Sequence, residues 1–326
     1  MIAPGGIVPT RVDLTPGVAA GLAALPASAG VAEIEGAGGK CLLLTRSANI
    51  RKWAAQNLGA GPPPKAARRP KTDLTAVATA VSYVLTETHF ERTLVFERWM
   101  APLVPYAKRK DLRPPVFLRL DPTERFPRVS VVGARDELAH AFGPFRDRKA
   151  AERASGALHK AFPLRPCDHS FEPDAALPLG RSCLYAQVRS CAAPCLERMS
   201  EDAYRMLASD ATRALASPVS REGQLASALP ETAGAARGLG VVVSKASGGG
   251  LLHPVSGGTV LTSVRWMDDA IEDAVASLAW QLPLGVPNDW PWLSSWLHSP
   301  AGRRSFLVVP DPVDVAGIAA AIRKMA

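Results

Sequence analysis

Arg181-Ser-Cys-Leu-Tyr-Ala-Gln-Val-Arg-Ser-Cys-Ala-Ala-Pro-Cys195 places three cysteines in one short stretch, and Phe162-Pro-Leu-Arg-Pro-Cys167 supplies a fourth just upstream. The resulting pattern, Cys167, Cys183, Cys191 and Cys195, reads C-x15-C-x7-C-x3-C. Thiolates are soft donors, and four of them in one neighbourhood suit either a tetrahedral zinc ion or an iron–sulfur cluster. Spacing alone leaves the two open, because the paired C-x2-C knuckles of zinc ribbons are absent. The bland alternative is a set of buried cysteines or disulfides. Met1–Pro9 has neither the basic start nor the apolar core of a secretory leader, so a cytoplasmic location is expected, where disulfides do not persist. Cys41, the fifth cysteine, lies on an apolar run and reads as a small core residue. His169 is close enough in sequence to be a substitute ligand, but with four cysteines available it reads as a neighbour of the site.

Outward from the cysteines, the 326-residue chain carries a net charge of +8 and a pI near 9.5. A basic balance favours a polyanionic partner, since phosphate counterions are released on binding. The cations are unevenly spread. Arg46, Arg51, Lys52, Lys65, Arg68, Arg69 and Lys71 follow one another with no acid between, and Lys108-Arg109-Lys110 is followed by Arg113. Arg46, Arg51, Lys52, Arg68, Arg69, Lys108, Arg109 and Lys110 are therefore the candidate nucleic-acid contacts, against the plain reading of a solvated linker and face. No run approaches the roughly 18–20 apolar residues of a membrane span.

The pattern of elements predicts an α+β protein. Residues 1–24, rich in Gly, Pro and Ala, read as a loose arm. Gly30–Ile34 and Cys41–Leu44 read as strands around a Gly-rich turn, Asn49–Asn57 as a short helix, and Gly59–Lys65 as a breaker. Thr75–Leu103 reads as one long helix with Val95, Trp99 and Leu103 on a shared face. Val116–Leu120 and Val129–Val132 read as paired strands; Lys149–Phe162 and Ser200–Ala216 read as helices, the latter capped by Ser200. The Ala/Ser/Gly-rich residues 217–240 read as a linker to a C-terminal α/β unit, residues 241–326. That unit has strands at Val241–Lys245, Val260–Trp266 and Phe306–Val309, and helices at Asp268–Leu278 and Pro312–Lys324. Domain boundaries are expected at 25–110, 111–216 and 241–326.

The cysteine segment resembles the cysteine motif of the UvrC family, which runs R-P-C-L-Y-Y-Q-I-G-R-C-x-A-P-C. Phe162–Cys167 resembles that family's F-P-L-R-T-C, Phe142-Gly-Pro-Phe145 its Y-F-G-P-Y, and Phe126-Pro-Arg-Val-Ser130 its F-P-R-L-x. The matches keep the family's order and spacing over residues 116–205. The resemblance implies a 4Fe–4S cluster on Cys167, Cys183, Cys191 and Cys195, with zinc as the alternative, and a structural role for it rather than electron transfer. It also implies a DNA-repair setting, with DNA and a UvrB-like helicase as partners.

Residues 25–105 resemble, in outline, the GIY-YIG nuclease domain with which UvrC proteins begin. Leu25–Val31 matches the opening L-P-x-x-P-G-V-Y, and Asn49, Ile50 and Arg51 match within I-Y-V-G-K-A-R-N-L-R-x. The family's catalytic tyrosines fall on Ala32 and Leu43, its motif glycine on Thr45 and its arginine on Ala48. Glu97 alone stands where the family has its metal-binding glutamate, and as a lone helical Glu it reads more simply as a surface carboxylate. Cleavage of a phosphodiester needs charge neutralisation and an activated water, with Mg2+ or Mn2+ in this family. Ala and Leu supply neither. The expectation is a module whose incision activity is lost or reduced; the alternatives are an active endonuclease using other residues, or a zinc-stabilised DNA-binding module with no repair role.

The family's C-terminal RNase H-like and helix-hairpin-helix parts have no counterpart legible in 206–326. Asp268 and Asp269 read as helix capping rather than a metal pair. Trp280, Trp290, Trp292 and Trp296 read as core rather than as base-stacking platforms, and the turns Ser247–Gly250 and Ser256–Gly258 as hairpins rather than phosphate cradles.

Overall fold

The computed structural model describes residues 8–59, 74–133, 138, 140–176, 184–216, 223–229, 239–246, 248–280, 288–309 and 313–325. The fold is α+β, as the sequence pattern indicates. The chain divides into two compact units, Met1–Arg109 with Ser244–Leu251, and Lys110–Val243 with Leu252–Ala326.

The first unit is built on an antiparallel sheet, β1(Thr10–Asp13), β2(Gly30–Glu35), β3(Cys41–Ser47) and β4(Ala80–Leu85), in the order β1-β4-β2-β3. Strand alternation sends Ala32 and Ile34 to one face and Val31 to the other. The first face packs with residues of α1(Val18–Ala24) and α2(Ile50–Asn57), burying Leu22, Ile50 and Ala54; the second meets Val95 and Trp99 of α3(His89–Met100). Asn49, expected as the first residue of the helix, caps α2 by accepting from the Lys52 N–H at 2.9 Å.

Two expectations are corrected here. The 1–24 segment is not a loose arm over its described part: β1 pairs with β4 from Thr10↔Tyr83 to Asp13↔Ala80, and Leu14 and Leu22 are buried. Its Ala and Gly content hid the apolar spacing that seats α1. Nor is Thr75–Leu103 a single helix. The alternation in Ala80-Val-Ser-Tyr-Val-Leu85 forms β4, and Thr88 starts α3, its hydroxyl accepting the Glu91 N–H at 3.1 Å while the Glu91 carboxylate accepts the Glu87 N–H at 2.6 Å. Val95 and Trp99 do share the buried face of α3; Leu103 lies beyond its end.

In the second unit, β5(Val116–Leu120) lies between β6(Val129–Gly133) and β7(Ala141–Phe145), all antiparallel. Its core joins this sheet to α4(Arg148–Ala161), after which come the short α5(Leu184–Gln187) and α6(Glu201–Ala216), the latter also lining the core with Tyr204, Ala208, Ala211 and Leu215. Ser200 caps α6 through the Ala203 N–H, 3.3 Å away. The stretch expected as a linker contains α7(Gly223–Ala228), and Leu225 and Leu229 are buried in the same core; two Leu at i, i+4 outweigh the low-complexity composition around them.

The C-terminal stretch contributes a five-stranded sheet ordered β10-β9-β8-β12, with β11 beside β9. Its members are β8(Leu239–Ala246), β9(Gly249–Ser256), β10(Thr259–Val260), β11(Val264–Trp266) and β12(Phe306–Val309). Helices α8(Ile271–Ala276) and α11(Val315–Met325) cover it, and α9(Trp290–Leu297) and α10(Pro300–Ser305) complete the chain. The strand expected at 260–266 breaks into β10 and β11. Asp268 and Asp269 sit in a turn ahead of α8, whose N-cap, Ala270, makes no side-chain bond; the acids of its first turn are Glu272 and Asp273. Pro312, expected to open the last helix, lies outside the described residues, and α11 starts at Val315 with Asp314 accepting the Gly317 N–H at 3.0 Å. Ser256↔Thr259 brackets a two-residue hairpin loop in which Gly257 and Gly258 both have positive φ, the conformation such loops demand. Residues 110–243 and 252–326 fall in one compact unit, and within it Trp290 meets Phe117 edge to face at 5.5 Å. Trp290 and Trp292 are buried, so the core reading of these tryptophans is the right one for both.

Candidate functional sites

The two cysteine-bearing loops are held by a polar brace. Beyond α4, Arg165 donates its backbone N–H to the Tyr204 hydroxyl at 2.7 Å, and that hydroxyl donates to the Pro127 carbonyl at 3.0 Å. The Arg165 guanidinium reaches the Phe126 carbonyl (2.7 Å) and the His169 carbonyl (2.8 Å), and stands 4.0 Å from the Cys167 Sγ. It also lies over the Phe171 ring, which stacks on Phe126 at 5.2 Å, and Phe126 meets Tyr204 edge to face at 5.6 Å. Burial pushes the Tyr204 phenol well above its ordinary pKa, so it remains a neutral donor. The short segments Phe126-Pro-Arg and Phe162–Cys167 are thus one contact set.

The second loop is stitched to the first. The Ala192 N–H donates to the Pro163 carbonyl at 2.7 Å and the Asp174 N–H to the Cys195 carbonyl at 3.0 Å. Ala193 and Glu197 take left-handed φ of 52° and 51° around the short turn Pro194–Leu196. This curl lets the Ala193 N–H point at the Cys191 Sγ, 3.3 Å away, the kind of bond that stabilises a thiolate donor. Cys191 is buried, and Cys167 and Cys195 half-buried. None of the four described cysteines is disulfide-bonded. Cys183 lies outside the described residues. Among the described residues no three His, Cys, Asp or Glu side chains are gathered to hold one metal ion. His169 is exposed, and its backbone carbonyl rather than its ring meets Arg165.

In the first unit, Ala32 is fully buried and faces Thr45 across the strands, Leu43 faces Ile34, and Ala48 is exposed. Neither Ala32 nor Leu43 offers a polar atom to a substrate. Glu97 is corrected: it is not a surface carboxylate but a buried one, 4% exposed, held by both terminal nitrogens of Arg109, one of them at 3.3 Å. Arg109, expected to contact nucleic acid, is corrected with it, its side chain being only 8% exposed. Two planar forks in register form the bidentate pair that burial requires.

The other expected cations divide in the same way. Arg51 donates to the Leu25 carbonyl at 2.7 Å and the Ala23 carbonyl at 3.3 Å, securing the end of α1. Arg46 lies over Phe96 at 4.8 Å and reaches Thr93 at 3.4 Å. Lys52, Lys108 and Lys110 are exposed. Arg68 and Arg69 lie outside the described residues.

Glu33, which sequence reading passed over, is a second buried acid, accepting from the Cys41 thiol and the Trp99 indole. Desolvation raises its pKa, and burial with that neighbour pushes the Cys41 thiol up to about 12. A carboxyl raised in the folded state contributes stability below its ordinary titration range and loses it as pH climbs through the raised value. Glu33→Gln is therefore expected to melt roughly 2 °C higher than the parent at pH 8 and to match it near pH 4. Thermal scans across pH check this; an equal shift at both pH values would assign the effect to packing instead.

Residues 116–214 match the profile of the UvrC/Cho excinuclease middle domain. Over that span the chain is similar to UvrC. The matched span runs from β5 through α6 and takes in both cysteine loops and the Arg165–Tyr204 brace, so the UvrC-type motifs coincide with a physical contact set. UvrABC system protein C of Trichlorobacter lovleyi is 31% identical over 187 residues, 56% of this chain and 29% of that protein. The Sphingopyxis alaskensis protein of that name is 31% identical over 192 residues, 57% and 28%. The one from Streptomyces griseus is 29% identical over 140 residues, 42% and 19%. The chain spans less than a third of the length of these UvrC relatives. No solved structure matches. Among the described residues, no helix is long and apolar enough to cross a membrane.

Proposed function

We propose that this UvrC-related chain associates with DNA in nucleotide excision repair, with a UvrB-like helicase as partner, and that incision by its GIY-YIG-like module is lost or much reduced. The observation that carries the second half is the commitment of Glu97 to Arg109, beside apolar residues at both tyrosine positions. A guanidinium already neutralises the one carboxylate left to bind Mg2+ or Mn2+.

The cysteine loops favour a thiolate-bound centre. Soft donors on two cross-bonded loops, one of them already accepting a backbone N–H, fit such a group. Cys167, Cys183, Cys191 and Cys195 would hold a 4Fe–4S cluster, whose contribution when bound is a cross-link between the loops. Thiolates of this kind persist in a reducing cytoplasm.

Two measurements test the reading. Anaerobically purified chain should be brown with about four irons, whereas colourless protein with one zinc gives the zinc-module alternative. An assay on damaged and flapped duplexes with Mg2+ or Mn2+ should show no incision; cleavage abolished by Glu97→Ala would establish the active-endonuclease reading instead.

A further inference from the structure

We propose that a phosphate-binding face, assembled in the second unit from Arg113, Arg146, Arg148, Arg153 and Arg303, engages the DNA backbone. The proposal rests on the reading of the chain as DNA-associated and gives that reading a surface. Arg146 and Arg148 flank Asp147, the N-cap of α4, and are 73% and 70% exposed. Arg113 and Arg153, also exposed, lie with Arg146 within electrostatic reach of the Asp147 carboxylate. The ring of His298 donates to the Pro144 carbonyl, and Arg303 and Arg146 lie within reach of that ring. Exposed arginines from three stretches far apart in sequence therefore gather around the turn that follows β7.

Charge makes the case. With Lys149, six cations stand in this neighbourhood beside the carboxylates of Asp147 and Glu152. Asp147 already accepts the Ala150 N–H at 2.8 Å, and Glu152 pairs with Arg148 at 3.0 Å. Like charges drawn from separate elements repel at separations shorter than the ~8 Å screening length of physiological salt. A polyanion relieves that repulsion, and the guanidinium fork matches phosphate geometry in a way an ammonium does not. No exposed aromatic side chain accompanies these arginines among the described residues, so the contact reads backbone rather than sequence.

The full-length chain is titrated onto a fluorescein-labelled duplex by anisotropy across about 50–200 mM KCl. The variant Arg146→Ala/Arg153→Ala/Arg303→Ala is expected to bind at least tenfold more weakly, with a salt slope shallower by about 2–3 and an unchanged melting temperature, because these side chains are exposed. Removing the scattered exposed cations Lys40, Lys160 and Lys324 instead should cost much less. Parent that binds DNA while the arginine variant keeps its affinity and slope, or loses no more than the lysine variant, overturns the surface assignment alone. Parent that binds no DNA overturns the functional reading beneath it.

Discussion

Arg109→Leu is expected to destabilise the first unit by roughly 3–5 kcal/mol, because it leaves the Glu97 carboxylate buried beside α3 with no cation. The double variant Glu97→Leu/Arg109→Leu should recover most of that loss, since two apolar side chains of similar volume remove both charges from the interior. Denaturant unfolding of the parent, both single variants and the double variant gives the coupling between the two side chains directly. Near-additive losses would show that the pair is not the unit of stability it resembles. The single variant also probes chemistry. If it gains Mn2+-dependent incision while the parent has none, Arg109 occludes a working site; continued silence agrees with the proposed loss of incision.

Gly258→Ala should be nearly as damaging to the second unit, at roughly 3–5 kcal/mol. Gly258 has φ +78°, and a Cβ there would stand 2.0–2.2 Å from the indole of Trp290, which is fully buried. Around it the Gly258 carbonyl accepts the Asp289 N–H at 3.0 Å, and the Asp289 carboxylate accepts the Val260 N–H at 2.9 Å and the Trp292 indole N–H at 3.0 Å. Displacing Trp290 disturbs that set together with the contact to Phe117. Gly248→Ala is the control: its φ is +75° but nothing lies within 4 Å of the added methyl, so it isolates the backbone term at about 1 kcal/mol. Tryptophan fluorescence during thermal unfolding compares the two; equal effects would remove the steric argument.

The strands whose residues alternate, or are uniformly apolar between turn signals, were legible in the chain: β2, β3 and β6 lie close to where the pattern put them, and β5 and β12 coincide. Helices with a polar starter, such as Asn49 for α2 and Ser200 for α6, were legible for the same reason. Composition misled where small residues dominate. Leu14, Leu22, Leu225 and Leu229 each anchor a core from within Ala- and Gly-rich sequence. For Glu97, local sequence carries no sign of Arg109, twelve positions on, because a buried pair depends on where the chain returns after α3. The motifs around Cys167 and Cys191 were legible as motifs, and Arg165 lies inside one of them; Tyr204, which ties the Phe162–Cys167 segment to Phe126-Pro-Arg, sits outside every one. The proposed arginine face was not legible as a unit, since Arg113, Arg146 and Arg303 come from stretches far apart in sequence.

The brace at Arg165 and Tyr204 has a consequence for how an inorganic guest would be received. Phe126, Leu164 and Tyr204 close this region by apolar packing, with bonds from the Tyr204 hydroxyl and the Arg165 guanidinium to backbone carbonyls, unlike small zinc-dependent folds that collapse without their ion. Under the proposed thiolate-bound centre the scaffold is therefore expected to fold before the group arrives, and chelation should slacken the segment bearing Cys191 and Cys195 while α4 and α6 keep their melting behaviour.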